Sequence, residues 1–375
     1  MAIERIGILT GGGDCPGLNA VIRAAVRVAI ARYGWQVFGI EDAFNGLVDL
    51  DYRSPRGNRW LELGDVRGII EHGGTILGTS NRSDPFQFVT PGVEGTTDVS
   101  DRVMENYAKM KLDAVISIGG DGSMLIAQRF IEKGMKIVGV PKTIDNDLAG
   151  TDQTFGFDTA LNVATEAIDR IRDTAESHDR VMIVEVMGRD AGFIALHAGL
   201  AGGADAILIP EIPYRVQPLA QMLMERRESG KHYSIIVVAE GARPVDGDPS
   251  VLEHRLGEMP RLMGAAHRLA HQLGELTDAD MRVTVLGHIQ RGGSPSAFDR
   301  VLGTRFGEAA AHLVAQEKFG QMVSLRGGSI VAVPIAEAVA TPKRVDPNGE
   351  LVTTAREIGI RLGDGTTPAT IRPMP

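Results

Sequence analysis

Residues Lys136–Asp147 read KIVGVPKTIDND, an apolar run that passes directly into a polar turn. The run Lys136–Val140 has the length and composition of a buried parallel strand. The turn Pro141–Asp147 places two carboxylates, an amide, a hydroxyl and an ammonium just past the carboxyl end of that strand. Because open α/β sheets bind ligands outside the carboxyl ends of their strands, this stretch predicts both a parallel sheet and a ligand site.

The same pattern recurs along the chain, since short apolar strands alternate with helical stretches and lead into polar or glycine-rich turns. We predict an α/β protein with mainly parallel sheets that are covered by helices on both faces. At 375 residues the chain exceeds one ordinary core, so we expect two lobes. We interpret Asp51–Asp65 as an irregular surface segment. From Ser296 onward we expect a helix, one strand (Gly328–Val333) and polar turns.

Charge and cysteine content exclude several classes of function. The formal net charge of −9 argues against nucleic acid or an anionic membrane as a general partner. The chain has a single cysteine, Cys15, so no intramolecular disulfide can form and we expect a reducing, cytoplasmic setting. No apolar stretch is long enough to predict a membrane span, and the N-terminus lacks the apolar core of a signal peptide.

Two further glycine-rich turns follow predicted strands. The turn Thr10–Asp14 (TGGGD) would offer backbone N–H groups to a phosphate, although a simple tight turn explains it equally well. The loop Gly119–Ser123 (GGDGS) carries Asp121, a hard oxygen ligand suited to Mg²⁺ that is shared with substrate phosphates. A third loop ends in Arg82, which could reach the same phosphates.

The candidate side chains form two sets, and we expect all of them at the carboxyl ends of strands. The first set suits a metal-polyphosphate donor and consists of Gly12, Gly13, Arg82, Asp121, Gly122 and Ser123. The second suits another anionic ligand with hydroxyls and consists of Arg180, Met187, Gly188, Arg189, Glu240, Arg282, His288 and Arg291. PKTIDND lies between them in the chain. Phosphoryl transfer needs this combination of a donor site, cations and a carboxylate that accepts the acceptor's proton, and we predict Asp145 as that base.

Seven motifs, in this order and over nearly the whole chain, resemble the 6-phosphofructokinase family, in particular bacterial ATP-dependent members that carry a lysine in PKTIDND. They are TGGGDCPGLN, GGDGS, PKTIDND, TALNVATEAIDRI, VEVMGR, AEG and LGHIQRGG. The resemblance implies transfer of a phosphoryl group from ATP with Mg²⁺ to the 1-hydroxyl of fructose 6-phosphate, in glycolysis. It also implies two Rossmann-like lobes with the active site in the cleft between them.

The resemblance gives each motif residue an expected role. Asp145, Thr143 and Arg189 look like the catalytic group, and Asp121 looks like the magnesium ligand. Donor contacts would come from the first set, and sugar contacts from Met187–Arg189 and Glu240. The sugar phosphate would be bound by four residues, His288, Arg291, Arg180 and Arg282. The last two resemble arginines contributed by a neighbouring subunit, which implies a homodimer or homotetramer.

The lobes expected from the resemblance are discontinuous in sequence. The ATP- and Mg²⁺-binding lobe would comprise residues 1–156 and about 289–340, and the fructose 6-phosphate-binding lobe residues 157–288 and about 341–375. Asp147 would support the catalytic residues or contact a metal-bound water. Arg23 and Arg27 match two effector-site arginines of allosteric bacterial members.

The phosphoryl donor is left with two alternatives. In the family, glycine after the magnesium aspartate accompanies ATP, because a side chain there would crowd the α-phosphate, so Gly122 favours ATP. Lys142 is a residue typical of pyrophosphate users, which keeps pyrophosphate as the alternative donor. Two remoter readings are another GGDG-type kinase, acting on NAD or a lipid, and a non-catalytic sugar-phosphate sensor. Kinases of the first type lack PKTIDND and HIQRGG, and the second reading is disfavoured by the intact Asp121, Asp145 and Arg189.

Overall fold

In the computed structural model, the described residues are 3–52, 57–90, 92, 94–253, 261–262 and 264–366. They divide into two compact units. Unit 1 holds the described residues up to 159 and residues 291–342, and unit 2 holds the described residues from 160 to 290 together with 343–366. No helix in the described part of the chain is long and apolar enough to cross a membrane.

The strands of the described residues are numbered in chain order. They are β1 (Arg5–Thr10), β2 (Gln36–Ile40), β3 (Arg59–Leu61), β4 (Ala114–Gly119), β5 (Ile137–Thr143), β6 (Phe155–Gly156), β7 (Val181–Val186), β8 (Ala206–Leu208), β9 (Ser234–Ala239), β10 (Val251–Glu253), β11 (Arg261–Leu262), β12 (Met281–Val285), β13 (Gln321–Arg326) and β14 (Ser329–Pro334).

The helices are numbered in the same way. They are α1 (Leu18–Tyr33), α2 (Asn45–Val48), α3 (Ser100–Lys109), α4 (Asp121–Glu132), α5 (Phe157–Ser177), α6 (Phe193–Ala201), α7 (Val216–Glu228), α8 (Ala265–Gly274), α9 (Ala297–Ala315), α10 (Ile335–Ala340) and α11 (Glu350–Glu357). A short 3-10 helix spans Gly287–Arg291.

The sheet of unit 1 has the strand order β14-β13-β5-β4-β1-β2-β3, with β6 paired to β5. Its strands β2, β1, β4, β5 and β13 run parallel, and the antiparallel strands β3 and β14 lie at the two ends of that order. Strands β4 and β5 are buried along almost their whole length, as expected for a parallel sheet covered on both faces.

Helix α1 shows how the sequence specifies this unit. It begins after Gly17 and ends before Gly34, and both glycines adopt the left-handed conformation that other residues avoid. The Gly34 N–H donates to the carbonyl oxygen of Ile30, which satisfies one of the last carbonyls of the helix. Apolar residues such as Leu18, Val21 and Ile22 are fully buried, so tertiary packing stabilises the helix.

Unit 2 contains a four-stranded sheet in the order β12-β7-β9-β8, and every pair in it is parallel. The two central strands, β7 and β9, are buried throughout. A separate antiparallel pair is formed by β10 and β11. The mainly parallel α/β architecture predicted from the sequence is therefore confirmed.

Several expected element boundaries were wrong. Strand β5 continues to Thr143, so Pro141 and Lys142 belong to the strand and do not follow it. The segment Asp51–Asp65, expected to be irregular, contains β3; its residues 53–56 lie outside the described part. Beyond Ser296 the expected single strand is a hairpin, β13–β14, and two helices, α10 and α11, replace the expected polar turns.

Candidate active site

The first candidate site lies where the strand order of unit 1 reverses. Strands β1 and β4 are neighbours, while β2 extends the sheet on one side of them and β5 on the other. Such a reversal leaves a crevice at the carboxyl ends of the two strands, where α/β proteins bind ligands. The turn after β1 contains Gly12 and Gly13, and the residues after β4 are Gly120 and Asp121.

Gly12 and Gly13 have different roles in the turn. Gly12 has φ 76°. Its N–H donates to the carbonyl oxygen of Ser80 at 3.2 Å, and its own carbonyl accepts from Thr79 Oγ1 at 2.6 Å. Gly12 is therefore committed to holding the turn. The Gly13 N–H takes part in no hydrogen bond among the described residues and is the group that a phosphate oxygen could engage.

Asp121 and Gly122 begin a helix, although we expected both in a loop. Asp121 is the first residue of α4 and is exposed, with Gly120 preceding it in extended backbone. Its carboxylate therefore stands at a helix N-terminus at the end of β4. A Cβ added at Gly122 would meet no protein atom within 4 Å, so packing does not require this glycine.

Lys142 is buried at the end of β5, with 4% of its surface exposed. Its Nζ donates a hydrogen bond to the carbonyl oxygen of Gly13. Burial lowers the pKa of the Lys142 ammonium, and the charge of Arg291 acts in the same direction. Lys142, on β5, thus holds the glycine turn that follows β1.

The catalytic candidates Thr143 and Asp145 follow at once, and both are half-buried. The backbone N–H of Asp145 donates to Thr143 Oγ1 at 3.1 Å, so the threonine hydroxyl fixes the start of the turn. Asn146 has φ 53°, a left-handed conformation that asparagine tolerates better than most residues. Its Oδ1 accepts from the N–H of Thr154 at 3.1 Å. The half-buried Asp147 completes the turn.

Two arginines of the candidate sets also belong to unit 1. Arg82 is exposed, and its backbone N–H donates to Ser80 Oγ at 3.1 Å. Arg291 ends the 3-10 helix, and its guanidinium lies so close to Gly13 that a Cβ at Gly13 would overlap Nη1. The Nε of Arg291 is buried and makes no hydrogen bond with the described residues. Arg291, expected among the sugar-phosphate residues, therefore contacts the turn that carries the donor candidates.

Ser123, in the first turn of α4, lies beside the same turn, since a Cβ at Gly11 would be 2.8 Å from its Oγ.

Unit 2 carries the second candidate site, at the carboxyl ends of its own parallel strands. The loop after β7 begins with Met187, Gly188 and Arg189. Gly188 has φ 135°, and its carbonyl accepts from the Gly241 N–H at 3.1 Å, which joins this loop to the end of β9. Met187 is buried, with 6% of its surface exposed.

Glu240 and His288 lie at the ends of the adjacent strands. Glu240 follows β9 directly and is half-buried, and its N–H donates to the carbonyl oxygen of Val186 at 2.9 Å. His288 is exposed in the 3-10 helix after β12. Gln290 is fully buried in the same 3-10 helix, and its Oε1 accepts from the Met187 N–H at 3.4 Å.

Arg180 and Arg282 share one carboxylate. Arg180 Nε donates to Asp280 Oδ2 at 2.9 Å, and Arg282 Nη1 donates to Asp280 Oδ1. These hydrogen bonds, Arg180 first, lower the pKa of Asp280. The two cations are thus held side by side at the amino-terminal ends of β7 and β12, so the expectation that every candidate residue lies at a strand carboxyl end was wrong for this pair.

Sequence reasoning missed the residues that act through buried contacts. Thr79 and Ser80 clamp Gly12, Gln290 holds Met187, and Asp299 holds the start of α5 by accepting from the Thr159 N–H at 2.8 Å. Gln290 lies within the motif LGHIQRGG, and Thr79 and Ser80 lie in the loop that ends in Arg82, but the partners of all four residues are distant in sequence. A local pattern could not have identified these pairs.

Two open, mainly parallel α/β sheets with polar side chains at the carboxyl ends of their strands define a class of protein that binds ligands at those strand ends. The sequence profile of the family described as phosphofructokinase matches residues 5–314. The ATP-dependent 6-phosphofructokinase of Chloroflexus aurantiacus is 52% identical over 369 residues, which cover 96% of this chain and 98% of that protein. The pyrophosphate–fructose 6-phosphate 1-phosphotransferase of Amycolatopsis methanolica is 51% identical over 348 residues, which cover 92% and 96%.

A solved structure agrees with the sequence comparisons. The phosphofructokinase of Pichia pastoris in its T-state superimposes with a TM-score of 0.78 at 33% identity, covering 91% of this chain. The chain spans only 38% of the length of that yeast protein, in contrast to nearly the whole length of the bacterial relatives. The chain belongs to the phosphofructokinase family.

Proposed function

We propose that the protein transfers the γ-phosphoryl group of ATP to the 1-hydroxyl of fructose 6-phosphate, giving fructose 1,6-bisphosphate and ADP in glycolysis. Family membership and the name of the Chloroflexus relative support this proposal. The observation that carries it is the end of β5, where Lys142, Thr143 and Asp145 follow one another beside the Gly13 turn. A cation, a hydroxyl and a carboxylate in that order can position two phosphorylated substrates and accept a proton.

The residues of unit 1 would hold the donor. The Gly13 N–H and the helix N-terminus at Asp121 suit phosphate oxygens, with Gly12, Arg82 and Ser123 completing the set. Among the described residues no group of three potential ligands could hold a metal alone. The exposed carboxylate of Asp121 fits Mg²⁺, which usually takes one or two carboxylates together with substrate phosphates. When bound, Mg²⁺ would neutralise charge on the donor phosphates.

Asp145 is our candidate for the general base. As the bond between the γ-phosphorus and the ADP leaving group breaks, the Asp145 carboxylate would accept the proton of the sugar hydroxyl. Thr143 holds the Asp145 backbone and would also contact the reacting end of the sugar. Arg189 would place a positive charge on the developing transition state.

The residues of unit 2 would bind the sugar phosphate. Met187, Gly188 and Glu240 would contact the sugar and His288 its phosphate, and Arg291, which belongs to unit 1, is carried over from the family resemblance as a further phosphate contact. We further propose a homo-oligomer in which Arg180 and Arg282 reach the sugar phosphate of a neighbouring subunit. Arg23 and Arg27 on α1 are retained as candidates for an effector site, and a cytoplasmic location is proposed from the single cysteine.

ATP is favoured over pyrophosphate because of Gly122. Neither its backbone nor its packing requires a glycine, so the open space beside it is available to a nucleotide. The Amycolatopsis relative gives a specific reason to test pyrophosphate as the second candidate. Family membership leaves no support for an NAD or lipid kinase.

The test is a direct comparison of the two donors with purified protein. We expect a higher kcat/KM with ATP, and a higher value with pyrophosphate would overturn the choice of donor. The Asp145→Ser variant should lose activity by a factor of about 10²–10⁴, the usual contribution of a general base. Binding of fructose 6-phosphate, followed by calorimetry, should persist in that variant. Undiminished turnover in Asp145→Ser would exclude Asp145 as the base, whereas a native protein that binds fructose 6-phosphate but turns over with neither donor would support the non-catalytic sensor.

A further inference from the structure

The carboxylate of Glu211 lies at the far end of the loop that carries Arg189. Glu211 follows β8 and is absent from both candidate sets. Its Oε1 and Oε2 accept from the N–H of Gly192 at 3.0 and 3.1 Å. Oε1 also accepts from the N–H of Val345 at 2.8 Å. One side chain therefore joins the loop before α6 to the segment that begins the C-terminal part of unit 2.

The absence of a side chain at Gly192 makes this contact possible. Its φ of −89° is an ordinary value, so the backbone conformation does not require glycine. A Cβ at this position would overlap the side chain of Ile209 and lie 3.0 Å from Glu211 Oε2. The missing side chain is what allows the loop to approach the end of β8 so closely. Glycine at 192 and glutamate at 211 are thus two halves of one contact.

The opposite end of the same loop is also held. The Met187 N–H donates to Gln290 Oε1, and the Gly188 carbonyl accepts from the Gly241 N–H. The residues between these two anchors include Arg189. Since both ends are fixed by hydrogen bonds, the backbone that presents the arginine has little freedom. Loss of the Glu211 contact would release one end while the other stayed in place.

A second contact supports the same junction from the C-terminal segment. Lys343 Nζ lies 5.3 Å from the ring centroid of Phe193, the first residue of α6. Together with the Val345 hydrogen bond, this contact places residues 343–345 against the junction of the loop and α6. Burial raises the pKa of Glu211, while the hydrogen bonds from Val345 and Gly192 lower it. The carboxylate is held in partly buried surroundings by the N–H groups that it joins.

We propose that Glu211 is a positioning residue for substrate binding, which acts by holding the loop from Met187 to Gly192 and coupling it to the C-terminal segment. The proposal rests on the proposed role of this loop in binding fructose 6-phosphate. Glu211 itself would touch neither substrate. Its removal would leave the N–H groups of Gly192 and Val345 without their acceptor, which buried groups tolerate poorly.

The first measurement is hydrogen exchange in the ligand-free protein. In Glu211→Ala, amides in the peptide that contains Gly192 should exchange faster than in the native protein. The Glu211→Gln variant keeps an oxygen at Oε1 and should restore slow exchange. Asp364→Ala is the matched control, because Asp364 is also a partly buried carboxylate of unit 2 and pairs with Arg356 at 2.6 Å. That control should leave the Gly192 peptide unchanged.

The second measurement is the Kd of fructose 6-phosphate by calorimetry. We expect about a tenfold weakening in Glu211→Ala, the effect of about 1.4 kcal/mol, with the Kd of ATP within twofold of native. Gly192→Ala should reproduce this pattern, and Glu211→Gln should largely rescue it. Equal weakening for both substrates would indicate general damage and overturn the positioning role.

The two measurements separate the inference from the function on which it rests. Faster exchange at Gly192 with an unchanged Kd for fructose 6-phosphate would overturn the proposal. So would unchanged exchange in Glu211→Ala. If the native protein bound no fructose 6-phosphate at all, the proposed function would fail first, and the substrate role of Glu211 would fall with it.

Discussion

The buried ammonium of Lys142 donates its hydrogen bond to the carbonyl oxygen of Gly13, 129 residues away in the chain. This contact ties the end of β5 to the turn after β1. It turns the carbonyl of Gly13 toward the protein and leaves the N–H of Gly13 for a ligand. A lysine here can therefore support the donor site through the backbone, which is compatible with ATP as well as with pyrophosphate.

Replacing Lys142 should disturb the donor site selectively. In Lys142→Met the side-chain volume is nearly kept while the hydrogen bond to Gly13 is lost. A hydrogen bond to a charged group contributes about 1.5–3 kcal/mol, so we expect the KM for ATP to rise about tenfold or more. The KM for fructose 6-phosphate should change much less. Steady-state kinetics with each substrate varied in turn checks this.

The control for Lys142 is Lys136→Met, because Lys136 is an exposed lysine just before the same strand. It should behave as the native protein does. A Lys142→Met enzyme with the native KM for ATP would show that the hydrogen bond between Lys142 and Gly13 does not affect donor binding.

An alanine at Gly122 should harm donor binding without harming the fold. The added methyl group meets no protein atom within 4 Å. Alanine is better than glycine in a helix by up to about 1 kcal/mol, so thermal stability should be equal or higher. If the space beside Gly122 belongs to a nucleotide, the KM for ATP should rise at least severalfold.

Gly274→Ala is a matched control for this substitution, since Gly274 is also helical and also has open space around it. It should leave both kinetic constants unchanged. Native ATP kinetics in Gly122→Ala would remove the steric argument for ATP.

Asp299 should make stability depend on pH in an unusual direction. Burial raises its pKa to about 6, although hydrogen bonds from Thr159 oppose the shift. The folded protein therefore keeps a proton on Asp299 that the unfolded chain has lost, and this contribution to stability is present at pH 4 and disappears as pH rises through about 6. The shift corresponds to about 3 kcal/mol at most. Asp299→Asn should lose this component.

The measurement for Asp299 is the difference in Tm between pH 5 and pH 7.5, compared between native protein and variant. Asp364 is the opposite case, because hydrogen bonds from Thr366 and Arg356 lower its pKa despite burial. Its stabilisation is lost only as pH falls below the ordinary aspartate pKa of 3.8, outside this interval, so Asp364→Asn should leave the Tm difference between pH 5 and pH 7.5 unchanged. If Asp299→Asn leaves the Tm difference unaltered, the carboxyl does not titrate in this range.

Mixing two inactive variants tests whether Arg180 acts on a neighbouring subunit. Asp145→Ser removes the base and Arg180→Ala removes the proposed shared cation. If the arginine crosses between subunits, a mixed oligomer contains sites with an intact Asp145 that receive Arg180 from the other chain. Activity should then rise well above the sum of the separate variants after co-refolding. No gain on mixing, in oligomers shown to be mixed, would place Arg180 in its own chain's site.

Much of the fold could be predicted because the core strands and helices carry strong local patterns. Helix α1 buries its apolar residues, and strands β7 and β9 are mainly apolar runs that are buried throughout. Strand β3 was missed because it is a three-residue edge strand in a mixed, arginine-rich segment. Strand β13 was missed because Ser324 and polar neighbours interrupt its apolar pattern, yet Ser324 is fully buried and donates to the Gly150 carbonyl.

The candidate site was predictable in its residues but not in its contacts. The motif PKTIDND identified Lys142 as a cation near phosphate, but only the folded chain shows that its partner is a backbone carbonyl. Glu211 had one weak signal, a carboxylate just after a buried strand. Its partners Gly192 and Val345 lie in other parts of the sequence, so their contact depends on tertiary structure alone.

Cys15 allows local opening around the glycine turn to be measured in the native protein. It is the protein's single thiol, it is fully buried beside Gly156, and burial raises its pKa, so it should resist alkylation while the surrounding residues stay packed. Its labelling rate would then report how often this region opens. The alkylation rate of Cys15 would therefore report ligand binding near the proposed donor site, because a ligand that suppresses local opening would lower that rate.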